Sequence, residues 1–321
     1  MSRRARLIVL AVLVAALFVL SLGAGKVWVP PASWFGTDPV GRIIFSLRLP
    51  RALLGGLLGA SLGLSGAVLQ GYLRNPLADP AVLGVSSTAA LGAVAAILLG
   101  LGSEGVFAAA MLGAGAAMAL LALLAWRSAG PVAFVLAGTV LASLAGALTA
   151  FLIAVAPNPY AVAEVLDWLT GALTDRSWPD LARTAPAMLA GAALLYGTGR
   201  SLDALALGED AARSLGVRVG RLQALVIAGT GLIVGAGVAA TGVIGFVGLV
   251  VPHLLRPLFG ARPGALLLPS ALGGGCLVLA ADSLCRLAPG AGEVRLGVAM
   301  AMLGAPFFLV LLLRGEGRAW R

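Results

Sequence analysis

Charge is what this chain has least of. Asp, Glu, Lys and Arg make up 11% of its 321 residues, against 60% apolar. With a mean hydropathy of +1.03, that is more hydrophobic surface than a soluble core could enclose. A soluble enzyme is excluded and an integral membrane protein is expected. Histidine occurs once, at His253, and cysteine twice, at Cys276 and Cys285. A single imidazole near Pro252, with no ligand partners in the sequence, does not make a metal centre. The two thiols would lie about 13 Å apart along a helix, too far for a disulfide. A phosphate-binding loop is also missing. GAGKV at Gly23 to Val27 lacks the upstream glycine and has Val27 where Ser or Thr should stand. GAGVAATG, Gly235 to Gly242, lies in an apolar run and reads as helix packing rather than a dinucleotide fingerprint. No catalytic residue, metal or cofactor is therefore expected on this chain.

Acids are scarcest where an ion-coupled carrier would need them. Asp79, Asp203, Glu209, Asp210 and Glu316 fall in inner loops, and Asp38, Glu104, Glu164, Asp167, Asp175, Asp180 and Glu293 in outer loops or at span edges. Asp282 comes nearest the apolar interior, with Arg286 four residues on, where the two can pair.

Glycine is abundant, at 45 residues, and aromatics are few, at 6%. That suits helices in close contact, and Gly55, Gly59 and Gly63 have the spacing for it. The net charge of +9 falls between hydrophobic runs, where it sets orientation, so no nucleic-acid partner is expected.

Apolar runs that cross or nearly cross a bilayer lie at about 7–25, 48–72, 81–102, 105–126, 131–155, 184–199, 222–240, 242–258, 264–288 and 294–313. The expected fold is all-α, a polytopic membrane protein with ten transmembrane helices in one permease domain, 1–321. The first run, after Arg3, Arg4 and Arg6, reads as an uncleaved helix rather than a signal peptide. An even number of spans puts both termini in the cytoplasm, and Arg314, Arg318 and Arg321 agree. The segment 157–180 is too polar to span and reads as an outer loop with a short interfacial helix. In RNPLADPAVLG, Arg74 to Gly84, Asp79 can cap a helix opening on Pro80. A shift of 176 residues lays Gly66 on Gly242, Pro76 on Pro252 and Gly84 on Gly260. The corresponding spans run in opposite directions, so an inverted repeat is expected.

The stretch LDALALGEDAARSLGVRVGR, Leu202 to Arg221, separates two long runs and must sit in water. Gly208 and Gly216 bracket a short helix from Glu209 to Leu215, with acids in its first turn and a glycine just past its end. A compact helix on one aqueous face invites a partner. Any pathway through the membrane would be lined by small or weakly polar groups, with Ser65, Gln70, Ser86, Ser87, Thr88, Thr139, Ser143 and Thr149 as candidates. Each hydroxyl has the alternative of bonding back to its own helix.

LRLPRALLGG (Leu47 to Gly56), GAVLQGYLRNPLADPAVLGVSS (Gly66 to Ser87), ALGEDAARSLGV (Ala206 to Val217), GFVGLVVPHLLRPLFG (Gly245 to Gly260) and GAPFFLVLLLR (Gly304 to Arg314) resemble the signature stretches of the FecCD family. These are permeases of type II ABC importers for iron-siderophore complexes, haem and cobalamin. The resemblance implies a homodimer in the bacterial cytoplasmic membrane, with the pathway between the copies. It implies two cytoplasmic ATPase subunits carrying ATP and Mg, and a substrate-binding protein outside. The coupling loop would span about 200–221, with Leu207, Gly208, Glu209, Asp210, Ala211, Ala212, Arg213, Leu215 and Gly216 at the ATPase. Arg48, Arg51 and Arg286 would receive acidic residues of the binding protein. Arg295 stands where the family commonly has proline and would enlarge that patch or snorkel at the interface; Ala301 or its neighbours stand where threonine is usual. The expected cargo is ferric siderophore or haem, with cobalamin as the alternative and an ion-coupled carrier as a more distant one.

Overall fold

The computed structural model describes residues 2–34, 39–127, 131–289 and 292–313. Among them the regular structure is helical throughout. The helices are α1 (Arg3–Gly23), α2 (Pro39–Ile43), α3 (Leu49–Tyr72), α4 (Val85–Leu98), α5 (Gly102–Arg127), α6 (Pro131–Ala154), α7 (Pro159–Leu169), α8 (Trp178–Tyr196), α9 (Gly199–Leu205), α10 (Glu209–Ser214), α11 (Val219–Thr241), α12 (Val247–Phe259), α13 (Pro263–Leu287) and α14 (Leu296–Leu313).

Each of the ten apolar runs holds one helix. Six helical stretches among the described residues are long and apolar enough to cross a membrane: α1, α3 with the turn before it, and most or all of α5, α6, α11 and α13. Helices α4, α12 and α14 are apolar but shorter, and α8 carries Asp180, Arg183 and Pro186. The segment 157–180 forms α7, opened by Asn158, whose side chain accepts from the Ala161 amide at 2.9 Å.

Helix α3 is the centre of the bundle, buried on most faces. It meets α13 backbone to backbone. A Cβ on Gly59 would overlap the Gly274 carbonyl, and one on Gly63 the Ser270 carbonyl. The expected glycine stripe is therefore the contact itself, and Gly55 continues it against Leu173. Farther along, Gly66 backs onto Gly248 in the first turn of α12.

That last contact fixes where α12 begins. Gly66 is six residues, about 9 Å, from the end of α3, so α12 starts inside the bundle. The chain leaves α11 at Gly242 (φ 70°), turns back, and enters α12 through Phe246 (φ 68°). A matching interruption follows α3. The chain turns back from Tyr72, Asp79 caps the Pro80 turn, and Gly84 (φ 73°) redirects it into α4. Pro80 packs on Gly248, so the two interruptions touch.

This arrangement corrects two expectations. The runs at 81–102 and 242–258 overstate their helices, which begin late because the first residues of each form the returning turn. The 176-residue register also joins unlike places: Gly84 opens α4 while Gly260 follows the end of α12, and Pro76 lies in a turn while Pro252 is inside a helix.

The interior prolines explain two long-range bonds. Pro252 has no N–H to give the Gly248 carbonyl four residues back, and Gln70 on α3 donates to it instead at 3.2 Å. Pro269 likewise bares the Ala265 carbonyl, and Arg3 of α1 donates to it at 3.1 Å. Gln70 also accepts from Arg256 at 2.8 Å. Gln70→Leu is expected to lower stability by about 1–3 kcal/mol, the cost of a buried acceptor left without its donor. Gln70→Glu, which keeps the Arg256 contact, should recover only part of it. Thermal unfolding in detergent measures both.

Candidate functional site

After α8, α9 and α10 form the stretch expected from the sequence. Leu202 and Leu205 are buried and anchor α9 to the bundle. Gly208 (φ 109°) admits a sharp turn into α10, and Gly216 (φ 82°) lies just beyond its last turn. Glu209 and Asp210 open α10 and Arg213 closes it, the order its dipole favours. Arg213 reaches back to Glu209 at 2.6 Å. Ala212 is fully buried, so the helix is pinned by one small side chain. Leu207 and Leu215, 71% and 65% exposed, project on either side of it. Two exposed leucines on a loop too polar for lipid, flanking a groove of about 460 Å3 closed by Ala261 and Pro263, are the features of a protein contact.

The pathway candidates separate. Ser65 is buried against the Thr230 hydroxyl at 3.3 Å, and Gln70 ties α3 to α12, so both hold the bundle together. Thr88 bonds back to Gly84 and Val85, and Thr149 to Ala145. Ser86 borders a small cavity between the two interrupted pairs, and Ser87 beside it is half-buried. Thr139, which also bonds back to the Leu136 carbonyl at 2.8 Å, and Ser143 are the exposed ones of the set, on the face of α6 that also presents Leu136, Val140 and Phe151.

Asp79 lies in the connection after α3, half-buried; its carboxylate accepts from the Ala81 amide at 2.8 Å and lies near Leu249 in the first turn of α12. The sequence signal was the cap itself; the burial comes from the returning turn. His253 packs edge-on against Phe307 at 5.7 Å. Among the described residues no cluster of His, Cys, Asp or Glu could hold a metal ion.

At the opposite end the arginines expected to meet a partner turn inward. Arg51 on α3 pairs with Asp282 of α13 and with Glu293, both at 2.8 Å. Arg286 pairs with Asp282 at 3.2 Å, and the two side chains are 3% exposed. Arg286 also donates to Ser21 and to the Ala24 carbonyl, while Arg48 donates to the carbonyls of Leu22, Gly23 and Val27. The last carbonyls of a helix have no partner within it; here two guanidinium groups cap the negative end of α1. A buried cation needs such partners, so Arg51 and Arg286 are internal ties in this structure. Burial would raise the Glu293 pKa, but the hydrogen bond and charge of Arg51 outweigh it and hold the carboxyl below its usual value. Arg295 pairs with Asp167 at the surface. Glu293 and the α1 carbonyls were not legible as partners, because they lie far away along the chain.

The FecCD transport family profile matches residues 12–314. The cobalamin import system permease BtuC of Halobacterium salinarum is 42% identical over 292 residues, 89% of this chain and 77% of that protein. The vitamin B12 import system permease BtuC of Shigella sonnei is 40% identical over 316 residues, 96% of this chain and 94% of that one. A solved inward-facing structure assigned to the metal-chelate type of ABC transporter superimposes with a TM-score of 0.89 at 34% identity, covering 97% of this chain and 99% of that one.

Proposed function

The chain belongs to the FecCD transport family, and from that premise we propose that it is the membrane-spanning subunit of an ATP-driven importer whose cargo is cobalamin. The cobalamin permeases among its relatives, at 40% and 42% identity, shift the reading from ferric siderophore or haem. The broader class of metal chelates keeps support from the structural relative. This chain supplies the path and the coupling surface, and hydrolysis takes place on separate ATPase subunits.

The observation that carries the coupling reading is α10 with Leu207 and Leu215 beside it. These leucines enter the ATPase subunits, and Glu209, Asp210 and Arg213 orient the contact. A second copy of the chain packs against the exposed faces of α6 and α14, placing Thr139 and Ser143 along the path between copies. The helices of all ten apolar runs, the shorter α4, α12 and α14 included, serve as spans, α3–α4 and α11–α12 forming the inverted halves. The termini face the cytoplasm of a bacterial inner membrane. A substrate-binding protein docks on the opposite rim, at Arg48 and Arg295, beside the internal ties of Arg51 and Arg286.

Leu207→Asp with Leu215→Asp is expected to cut ATP-dependent cobalamin uptake into proteoliposomes by about 10- to 30-fold, the loss typical of central contacts, without changing the melting temperature. Uptake that persists without ATP would instead establish an ion-coupled carrier. ATP-dependent uptake of ferric siderophore or haem in preference to cobalamin would restore the earlier cargo.

A further inference from the structure

A second cavity opens at the same end of the molecule as α10, beside the groove of Leu207 and Leu215. Its volume is about 600 Å3, between the start of α1, the end of α8, α9 and the start of α13. Three guanidinium groups line it, Arg3, Arg200 and Arg262. The one acid there, Asp203, is committed: it accepts from Arg262 and from the Gly264 amide at 2.8 and 2.7 Å. The cavity is left with a surplus of about two positive charges.

Its surroundings indicate what would fill it. Arg3 opens α1, which packs one face through Leu7, Leu10 and Val14 and leaves the other exposed, with Ile8, Val9 and Val12 more than half so. Tyr196, 56% exposed, stands on the other wall, where an amphipathic ring suits the boundary between hydrocarbon and water. Arg3 is held over the cavity by the Ala265 carbonyl that Pro269 leaves bare. The coupling leucines open into the neighbouring groove, and the Arg262–Asp203 pair is the wall common to both. This cavity is therefore a charged socket at the start of α1, beside an apolar helix.

We propose that this socket binds the phosphate headgroup of an anionic membrane lipid, with Arg3 and Arg200 as the principal contacts and the acyl chains lying along α1. The phosphate takes charge-assisted hydrogen bonds from the guanidinium groups. The binding is independent of cargo.

The test uses the full chain in nanodiscs, with phosphatidylglycerol diluted into phosphatidylcholine and retained lipid counted by native mass spectrometry. Arg3→Gln with Arg200→Gln is expected to lower phosphatidylglycerol retention roughly fivefold per arginine at low salt, on the order of 25-fold together. Arg4→Gln with Arg221→Gln removes the same charge outside the cavity and should leave retention unchanged. Melting temperatures in pure phosphatidylcholine confirm that both variants fold. Equal loss in both pairs, or none in either, would overturn the proposal. Displacement of the lipid by millimolar inorganic phosphate would make the socket a site for free phosphate, and its release when ATPase subunits bind would assign it to that interface; either result also overturns it.

Discussion

Gly66→Val is expected to prevent the bundle from assembling. The new Cβ would coincide with the backbone of Gly248, and a backbone atom cannot rotate away as a side chain can. Overpacking a core typically costs 1–3 kcal/mol, occasionally more, and this contact belongs at the upper end because it fixes where α12 starts. Against a total stability of about 5–15 kcal/mol, the variant should yield little monodisperse protein by size-exclusion chromatography. Gly115→Ala on α5 is the comparison, since nothing lies within 4 Å of the added methyl. It should be neutral, or stabilising by about 0.5–1 kcal/mol. Similar behaviour of the two variants would show that the α3–α12 contact is looser than described.

Asp282→Ala should be nearly as damaging, for an electrostatic reason. Asp282 is 2% exposed and serves both Arg51 and Arg286. Arg51 would keep Glu293, and Arg286 would keep only neutral acceptors while remaining buried. Removing one member of a buried ion pair costs about 3–5 kcal/mol, read as a large fall in melting temperature. Adding Arg286→Leu should recover part of the loss, because the stranded charge goes with it. By contrast, Glu209→Ala on α10 breaks an exposed pair worth about 0–1 kcal/mol and should barely move the melting temperature. If Asp282→Ala is equally mild, the outer cluster does not hold α1, α3 and α13 together.

Much of this fold is legible from local pattern. Helix position follows from apolar run length, and the helix at Glu209 to Leu215 follows from its two glycines and charge order. The structure ends it one residue sooner, at Ser214. The pairing of Asp282 with Arg286 follows from a spacing of four on one helix. What local pattern conceals is depth. Nothing in RNPLADP says that the chain climbs back into the bundle after Tyr72, so the packing of Pro80 on Gly248 is not legible there. The arginines at the opposite end show the same thing. Arg51 and Arg286 look like surface charge in excess of what orientation needs, and only the fold brings them to the carbonyls of α1 and to Glu293. The C-terminal arginines Arg314, Arg318 and Arg321, and Glu316, lie outside the described residues.

The bond from Gln70 to the Gly248 carbonyl carries a wider lesson about the prolines in these spans. Each buried proline leaves one acceptor bare at a known height, four residues upstream. The side chain that answers it then decides which helix may lie alongside and in what register. Pro252 sets α12 against α3 in this way, and Pro269 sets α1 against α13, so residues usually regarded as helix breakers serve here as alignment marks for their neighbours.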